Sequence, residues 1–427
     1  MAADREDHLP SGYGRMERGW RGWAMLAHAI LMVAGLLFLL PLLWMASTSL
    51  KPNDQTMTFP PTWIPKATLA PLDGKETIVT KDRQVREASV LVLVLEGPAQ
   101  GQRRLLLRSE FPDARVEPGA EYRMQIKVAQ AGREVLDPTP VRVRILRDVP
   151  EGYWKVTEWT PEFSREREQS KGVVRWDCVP ETAISVKPHA FVSNYSAAIT
   201  RMDAKGEPDA AWYDRGFARY VRNTLWVCFM SVFGVVLSCT LVAYAFAFLE
   251  FPGRNVLFAI SLAVMMIPFP ATMVPLFDVF RWMGWVGTFK PLWAPAWFGG
   301  AFYIFLLRQF FLGLPKDLLD AARIDGCSEL EILWHIVVPL ARPALAMVAL
   351  FQFIGAWKDF MGPMLYLTDP SQFTLSLGLQ DLQSQHGGTP WNVLMAANMM
   401  FSLPLIVLFL LARKTFMRGI AMTGMKG

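Results

Sequence analysis

The sequence predicts a polytopic α-helical membrane protein with about six transmembrane helices and a small inserted extracytoplasmic β domain. Three observations predict it. Hydrophobic residues make up 52% of the chain, mean hydropathy is +0.24, and six separate runs are apolar enough to cross a bilayer. Residues 51 to about 215 hold more than half of the charged side chains, so a polar block interrupts the apolar ones. Finally, the polar, turn-containing stretch Leu318–Pro343 lies between two apolar runs, where a plain linker would need no such pattern.

Taken in order, residues 1–22 are a polar, cytoplasmic N-terminus, and the first transmembrane helix occupies 23–48, with its apolar run from Trp23 to Ser47. This run is too long for the apolar core of a secretory signal, and Met45-Ala46-Ser47-Thr48 is a poor cleavage site, so it reads as a retained span. The second span is Asn223–Leu249. The third, Val256–Phe277, contains Pro268, Pro270 and Pro275. Prolines at membrane depth are tolerated where neighbours or a cavity satisfy the freed carbonyls, so this helix is expected to line a path. The fourth, Pro291–Leu307, is short and aromatic-rich. The fifth runs from Pro343 to Trp357, with Gly362-Pro363 to Leu367 as its continuation, and the sixth is Val393–Ala412.

Basic residues near the spans set the orientation. Arg15, Arg18 and Arg21 precede the first span, and Arg254 lies between the second and third. Arg308, Lys316, Arg323 and Arg342 flank the polar stretch, and Arg413, Lys414, Arg418 and Lys426 follow the last span. The opposite short loops carry Arg281, Lys290, Asp369 and Asp381. Both termini and the 313–342 loop are therefore expected in the cytoplasm, and the net charge of +5 is this topological signal with no need of a nucleic-acid partner.

Between the first two spans, residues 66–190 read as a β domain, a sandwich or partial barrel. Ser89–Leu95 is a buried-strand candidate, and Tyr122–Val128 alternates less cleanly. Val141, Val143 and Ile145 alternate strictly with Arg142 and Arg144. Glu96-Gly97-Pro98 and Glu117-Pro118-Gly119 are turn signals. Cys178 is the domain's one cysteine, which excludes an internal disulfide.

The polar stretch reads as two short helices hinged at a glycine. Asp317 is the expected N-cap, Leu318–Asp325 form two turns, and Gly326 takes the left-handed C′ position. Ser328 with Glu331 is a capping box that restarts a helix; Leu330, Leu333, Trp334 and Val337 give it an apolar stripe, and Pro339 ends it.

Asp320-Ala321-Ala322, three residues, Gly326 and then Ile336-Val337-Val338-Pro339-Leu340 resemble the Glu-Ala-Ala coupling loop of bacterial ABC importer permeases. Asp320 departs from the usual Glu but keeps a carboxylate, and Cys327 stands where a small residue, often alanine, is expected. Ser49-Leu50-Lys51-Pro52, Pro61-Thr62-Trp63-Ile64-Pro65, Phe217–Leu225, Phe251-Pro252-Gly253-Arg254 and the Thr423–Gly427 ending resemble the maltose-permease branch of the carbohydrate-uptake family. The resemblance covers residues 20–65 and 191–427, with 217–427 as a five-helix permease core, and leaves out the inserted domain.

That resemblance implies a permease subunit in the bacterial inner membrane, importing sugars or oligosaccharides and hydrolysing nothing itself. It implies three partners besides lipid: a cytoplasmic ABC ATPase dimer that binds the ATP, a second permease subunit, and an extracytoplasmic substrate-binding protein. Asp320, Ala321, Ala322, Asp325, Gly326 and Pro339 would form the lever docked on the ATPase, with the two alanines allowing close approach. No cofactor is expected in this chain, because a phosphate-cradling G-x-x-x-x-G-K-[ST] loop is absent. The histidines (His8, His28, His189, His335, His386) show no metal-ligand spacing. His28 is either an intramembrane functional group or an interfacial one, and Lys358-Asp359 reads as an ion pair or a pathway feature. Trp282, Trp285, Trp293 and Trp297 form an interfacial belt or stack on a sugar. A non-sugar importer, a membrane-anchored receptor acting through its β domain, and a membrane enzyme are the alternatives. The inserted domain would contact the binding protein, or else cell-wall polymer or an accessory subunit.

Overall fold

The structure is a computed structural model that describes residues 13–97, 99–111, 117–130, 133–136, 140–159, 175–203, 214–380, 382–383 and 389–423. His8, Pro98, Asp381, His386 and Gly424–Gly427 lie outside the described residues. The chain divides into two compact units, the first comprising residues up to Glu158 together with Trp176–Phe191, and the second Val192 onward together with 159–175.

The first unit opens with α1 (Tyr13–Ser49), whose Met25–Ser49 portion is long and apolar enough to span a bilayer. Its end is tied down locally: Lys51 Nζ lies 3.9 Å from the centre of the Trp44 ring, and Trp63 meets the same ring edge-on at 5.2 Å. Among the described residues the inserted domain follows as eleven strands: β1 (Lys66–Leu72), β2 (Lys75–Gln84), β3 (Ser89–Val94), β4 (Arg103–Leu107), β5 (Glu121–Met124), β6 (Lys127–Gln130), β7 (Arg133–Leu136), β8 (Val141–Val149), β9 (Trp154–Glu158), β10 (Trp176–Val179) and β11 (Ser185–Pro188). They form a five-stranded sheet in the order β10-β9-β2-β1-β11, a four-stranded sheet β4-β3-β8-β5, and the hairpin β6-β7, all paired antiparallel.

Alternation in β8 has the physical meaning expected of it. Val141, Val143 and Ile145 are buried against Val90, Val92 and Val94 of β3, while Arg142 pairs with Glu96 and Arg144 with Glu121. The segment from Tyr122 to Val128 is two strands rather than one, broken where Ile126 turns into the core. The sheets share one small cluster, in which Leu91, Leu105 and Val149 meet Cys178 and Trp176, and each sheet keeps a second apolar cluster of its own.

The second unit contains α2 (Ser193–Asp203), α3 (Gly216–Phe248), α4 (Arg254–Val264), α5 (Phe269–Trp282), α6 (Lys290–Trp293), α7 (Ala301–Phe311), α8 (Lys316–Ile324), α9 (Glu329–Ile332), α10 (Val338–Leu340), α11 (Arg342–Lys358), α12 (Met361–Tyr366), α13 (Leu375–Gln380) and α14 (Trp391–Thr423). Among the described residues, three helices of the whole chain are long and apolar enough to cross a membrane: α1, α3 and the Trp391–Arg413 part of α14. Three sharply bent pairs bring the number to as many as six.

One of these bends falls inside a predicted span, the third; the other two lie where the fourth and fifth runs meet the 313–342 loop. α4 and α5 meet at 100°: α4 ends at Val264, and Pro268, which has no N–H to carry the helix on, takes extended dihedrals (ψ 139) just before α5 begins. The fourth run is a short helix, a 3-10 stretch over Ala294–Phe298, a break at Gly299-Gly300, and α7. α11 stops at Asp359, which takes an extended conformation, so the run does not continue unbroken into α12. α3 starts at Gly216, two turns before the uncharged run, and serves as the mast of this unit. Gly234 allows Trp297 to lie directly on its backbone, where any Cβ would collide with the indole, and Trp297 Nε1 donates to the Met230 carbonyl at 3.1 Å. Nearer the start of α3, Asn223 donates to the Ser371 and Phe373 carbonyls at 3.0 and 3.1 Å. Trp357 ties α11 to α14 by donating to the Phe401 carbonyl at 3.0 Å.

Candidate functional site

The 313–342 loop is a compact hairpin built from its own capping chemistry. α8 begins after Pro315, which takes the N-cap position with extended dihedrals, so Asp317 sits inside the first turn, where its charge favours the positive end of the helix. At the other end Gly326 has φ +85. Its N–H donates to the Arg323 carbonyl at 3.1 Å, and the Cys327 N–H reaches back to Ala322 at 3.0 Å. These two bonds define a Schellman termination, which needs a left-handed residue. Ser328 and Glu331 then cap α9 reciprocally: the Ser328 N–H donates to Glu331 at 2.7 Å, and the Glu331 N–H to Ser328 Oγ at 3.4 Å.

Leu333–Val337 form a π turn, with the Val338 N–H reaching Leu333. Pro339 therefore does not end the helix. It occupies the first turn of α10, directly after the π turn, and the chain turns only at Ala341 before Arg342 starts α11 with Pro343 in its first turn. The expected apolar stripe is also shifted. Ile332, Leu333 and Val337 are buried, whereas Leu330 is 61% and Trp334 45% exposed, leaving two large apolar side chains facing outward.

An ionic network holds the two arms together. Arg323 Nε donates to Glu329 at 2.9 Å across the glycine turn, and Arg323 Nη1 to Asp320 at 2.9 Å. Tyr244 on α3 donates its hydroxyl to the same Glu329. The Arg323 guanidinium holds the Glu329 carboxyl below the usual carboxylate range, and the Ser328 N–H does the same for Glu331. Arg323, Glu329 and Tyr244 were not among the expected residues. The Asp320/Arg323 pair was visible as an i, i+3 spacing, but the Tyr244 link depends on tertiary structure.

Of the expected lever residues, Asp320, Ala321, Asp325 and Gly326 are exposed and Pro339 is partly exposed. Ala322 is not available for close approach to a partner, because it is buried in this chain's own core with Leu319. That core joins the hairpin to three helices: Leu319, Ala322, Ile332 and Leu333 pack in one cluster with Tyr244 of α3, Phe311 of α7, and Ala344 and Val348 of α11. Arg308 locks α7 to α3 by donating to the Phe246 carbonyl at 3.1 Å and covering the Phe258 ring. Lys358 and Asp359 form no ion pair among the described residues, which corrects that expectation: Lys358 is exposed while Asp359 turns inward to cap α12. Among the described residues no cluster of His, Cys, Asp or Glu could hold a metal ion.

Apolar helices, several of them bent, with a rigid polar hairpin clamped to three of them, define a multi-pass membrane transport subunit. Residues 232–421 match the family model of the binding-protein-dependent transport system inner membrane component. The arabinooligosaccharide transport permease AraQ of Halalkalibacterium halodurans is 37% identical over 205 residues, spanning 48% of this chain and 73% of that protein. The trehalose/maltose permease MalG of Thermococcus litoralis is 34% identical over 213 residues, spanning 49% and 76%. A solved bacterial ABC transporter that imports the acidic polysaccharide alginate is similar to 56% of this chain and 81% of its own, at 25% identity and a TM-score of 0.43. The chain belongs to this family of inner-membrane ABC importer permeases.

Proposed function

We propose that this chain is one of two permease subunits of an ABC importer for saccharides, and that its 313–342 hairpin converts closure of a separate ATPase dimer into movement of α3, α7 and α11. The observation that carries this reading is the double anchoring of the hairpin. Its arms are locked to each other through Arg323 and Glu329, and to three helices through Tyr244 and the surrounding core. A push on Ala321, Asp325 or Gly326 cannot be absorbed by bending within the loop and passes into the helices. Exposed Leu330 and Trp334 supply apolar contact area beside the acidic arm, the composition a docking element needs.

In this reading ATP is bound and hydrolysed by the partner, the second permease completes the pathway as a heterodimer, and an extracytoplasmic binding protein delivers cargo. Both termini and the hairpin face the cytoplasm, following the basic residues, and the inserted β domain faces the other side, where it extends the platform for the binding protein. Saccharide cargo is supported by the names of the relatives. The test is affinity purification in mild detergent. Recovery of an ATPase, a second permease and a binding protein is the expected result. Recovery of the chain alone, under conditions that preserve a known importer, would overturn the proposal, and a binding protein selective for a non-sugar would overturn the cargo.

A further inference from the structure

Between α1 and the inserted domain runs a loop with more exposed apolar surface than a water-facing connection needs. Outside α1, the exposed large apolar side chains described in the first unit are Met57, Phe59, Trp63, Ile64, Leu107 and Val186. All but the last two fall within residues 57–64, and Phe59 is 97% exposed. No charged side chain occurs from Gln55 to Pro65. Single exposed apolar residues scattered over a surface need no explanation, but a cluster without charges does.

The loop is closed on itself and fastened to the end of the span. The Gln55 side-chain amide donates to the Lys66 carbonyl at 2.8 Å and accepts the Lys66 N–H at 3.1 Å, so residues 56–65 form a compact Ω-type loop with joined ends. Its far limb is held against α1, where the Ser47 hydroxyl donates to the Trp63 carbonyl and the Trp63 ring meets Trp44. The loop therefore lies at the level of the last turns of α1. At 1.5 Å per residue, Met25–Ser49 is about 37 Å long against about 30 Å of bilayer hydrocarbon, so those turns emerge into the interfacial layer. Lys51 over the Trp44 ring is the pairing of aromatic and cation that this layer favours.

We infer that residues 57–64 are a membrane foot: Met57, Phe59 and Ile64 enter the headgroup–acyl boundary of the leaflet where α1 ends, and seat the inserted β domain on the lipid surface. The occupant is phospholipid and not another subunit. The loop is bound to the last turns of a helix whose apolar stretch is wholly unburied within this chain, and it offers no charge with which a protein partner would set a register. For the same reason it does not select a headgroup. The foot also orients the domain, because β1 leaves directly from it and pairs with β11, whose exit is bonded back through the His189 N–H to the Pro65 carbonyl. The inference goes beyond the importer reading and depends on neither the cargo nor the coupling hairpin.

The test uses the full chain with its co-purifying subunits in nanodiscs, carrying Cys327→Ala so that the remaining cysteines are buried. Phe59→Cys is labelled with bimane and exposed either to phospholipid brominated near the headgroup end of its acyl chains or to aqueous iodide. Lys75→Cys, exposed at the start of β2, is the water-facing reference. The expected result is strong quenching by brominated lipid at position 59 and none at 75, with iodide quenching at 59 at least about threefold weaker than at 75. Met57→Cys, labelled in parallel, is expected to behave like Phe59→Cys, so the result does not hang on the folding of one variant. Equal iodide quenching at 59 and 75 would overturn the proposal. Shielding from iodide without quenching by brominated lipid would also overturn it, since a protein surface would then cover the loop. The measurement is made without binding protein, ATP or cargo, so its failure leaves the importer reading intact.

Discussion

Arg323 donates to Glu329 at 2.9 Å across the Gly326 turn, and this bond makes one rigid piece of two short helices. Neither α8 nor α9 is long enough to be a stable helix alone. Glu329→Ala removes the acceptor shared by Arg323 and Tyr244. Arg323 and Glu329 are part-exposed, so loss of their pair should cost about 1 kcal/mol or less, whereas Tyr244 is buried and its hydroxyl, left without this acceptor, should cost about 1–3 kcal/mol more. The expected phenotype is a protein that inserts and assembles normally but imports severalfold less per ATP hydrolysed, measured in proteoliposomes. Unchanged coupling would remove the network from the mechanism.

Gly326 has open space around its Cα, so a side chain there meets no neighbour, and its φ of +85 is the whole constraint. Gly326→Val should cost about 1–2 kcal/mol of backbone strain in the turn, whereas Gly326→Asn should be nearly neutral because Asn tolerates the left-handed region. Valine is expected to uncouple uptake from hydrolysis while membrane insertion persists. Equal activity of the two variants would show that turn geometry does not matter.

The inserted domain begins and ends at one place. Lys66 pairs with Pro188, His189 N–H donates to the Pro65 carbonyl at 3.0 Å, and Phe191 N–H to Leu50 at 3.0 Å. Replacing residues 66–188 with a short Gly-Ser linker should leave expression and insertion intact, because the flanks already lie side by side. If the domain extends the docking platform, binding-protein affinity falls about tenfold or more in a pull-down titration. Unchanged affinity and uptake would exclude that role.

Acid should loosen the hairpin from one side of the pH range only. Glu329 and Glu331 both titrate below their ordinary value of 4.5, so their contribution is complete above that value and is lost as pH falls through the lowered one. Amide exchange across Ser328–Ile332 should therefore be flat in protection from neutral pH down to that ordinary value and weaken only below it. Glu329→Gln should remove part of that acid-induced loss. A transition centred near neutrality would contradict the assignment.

Local chemistry was legible in the sequence where it acts over a few residues. The Ser328/Glu331 box, the left-handed Gly326 and the alternation of Val141, Val143 and Ile145 depend on neighbours in the chain and hold in the fold. What escaped depends on distant partners or on phase. A π turn cannot be read from composition, and it goes with the burial of Ile332 and Val337 while Leu330 and Trp334 stay outside. The 100° bend between α4 and α5 lay within a run read as one helix, although its prolines were the visible sign of it. Ala322 looked like a docking residue from its place between Ala321 and Gly326; only the packing of Leu319 against α3 and α7 turns it inward.

Cys327 provides the most direct test of the coupling claim. It sits beside Gly326 at the tip of the hairpin and is exposed, whereas Cys178, Cys228 and Cys239 are buried. A maleimide–benzophenone reagent attached at Cys327 in the purified assembly, followed by irradiation and mass spectrometry, should place the cross-link on the ATPase subunit and lose it in Cys327→Ala. An ATPase that co-purifies but never cross-links to Cys327 would show that this hairpin is not where the two subunits meet.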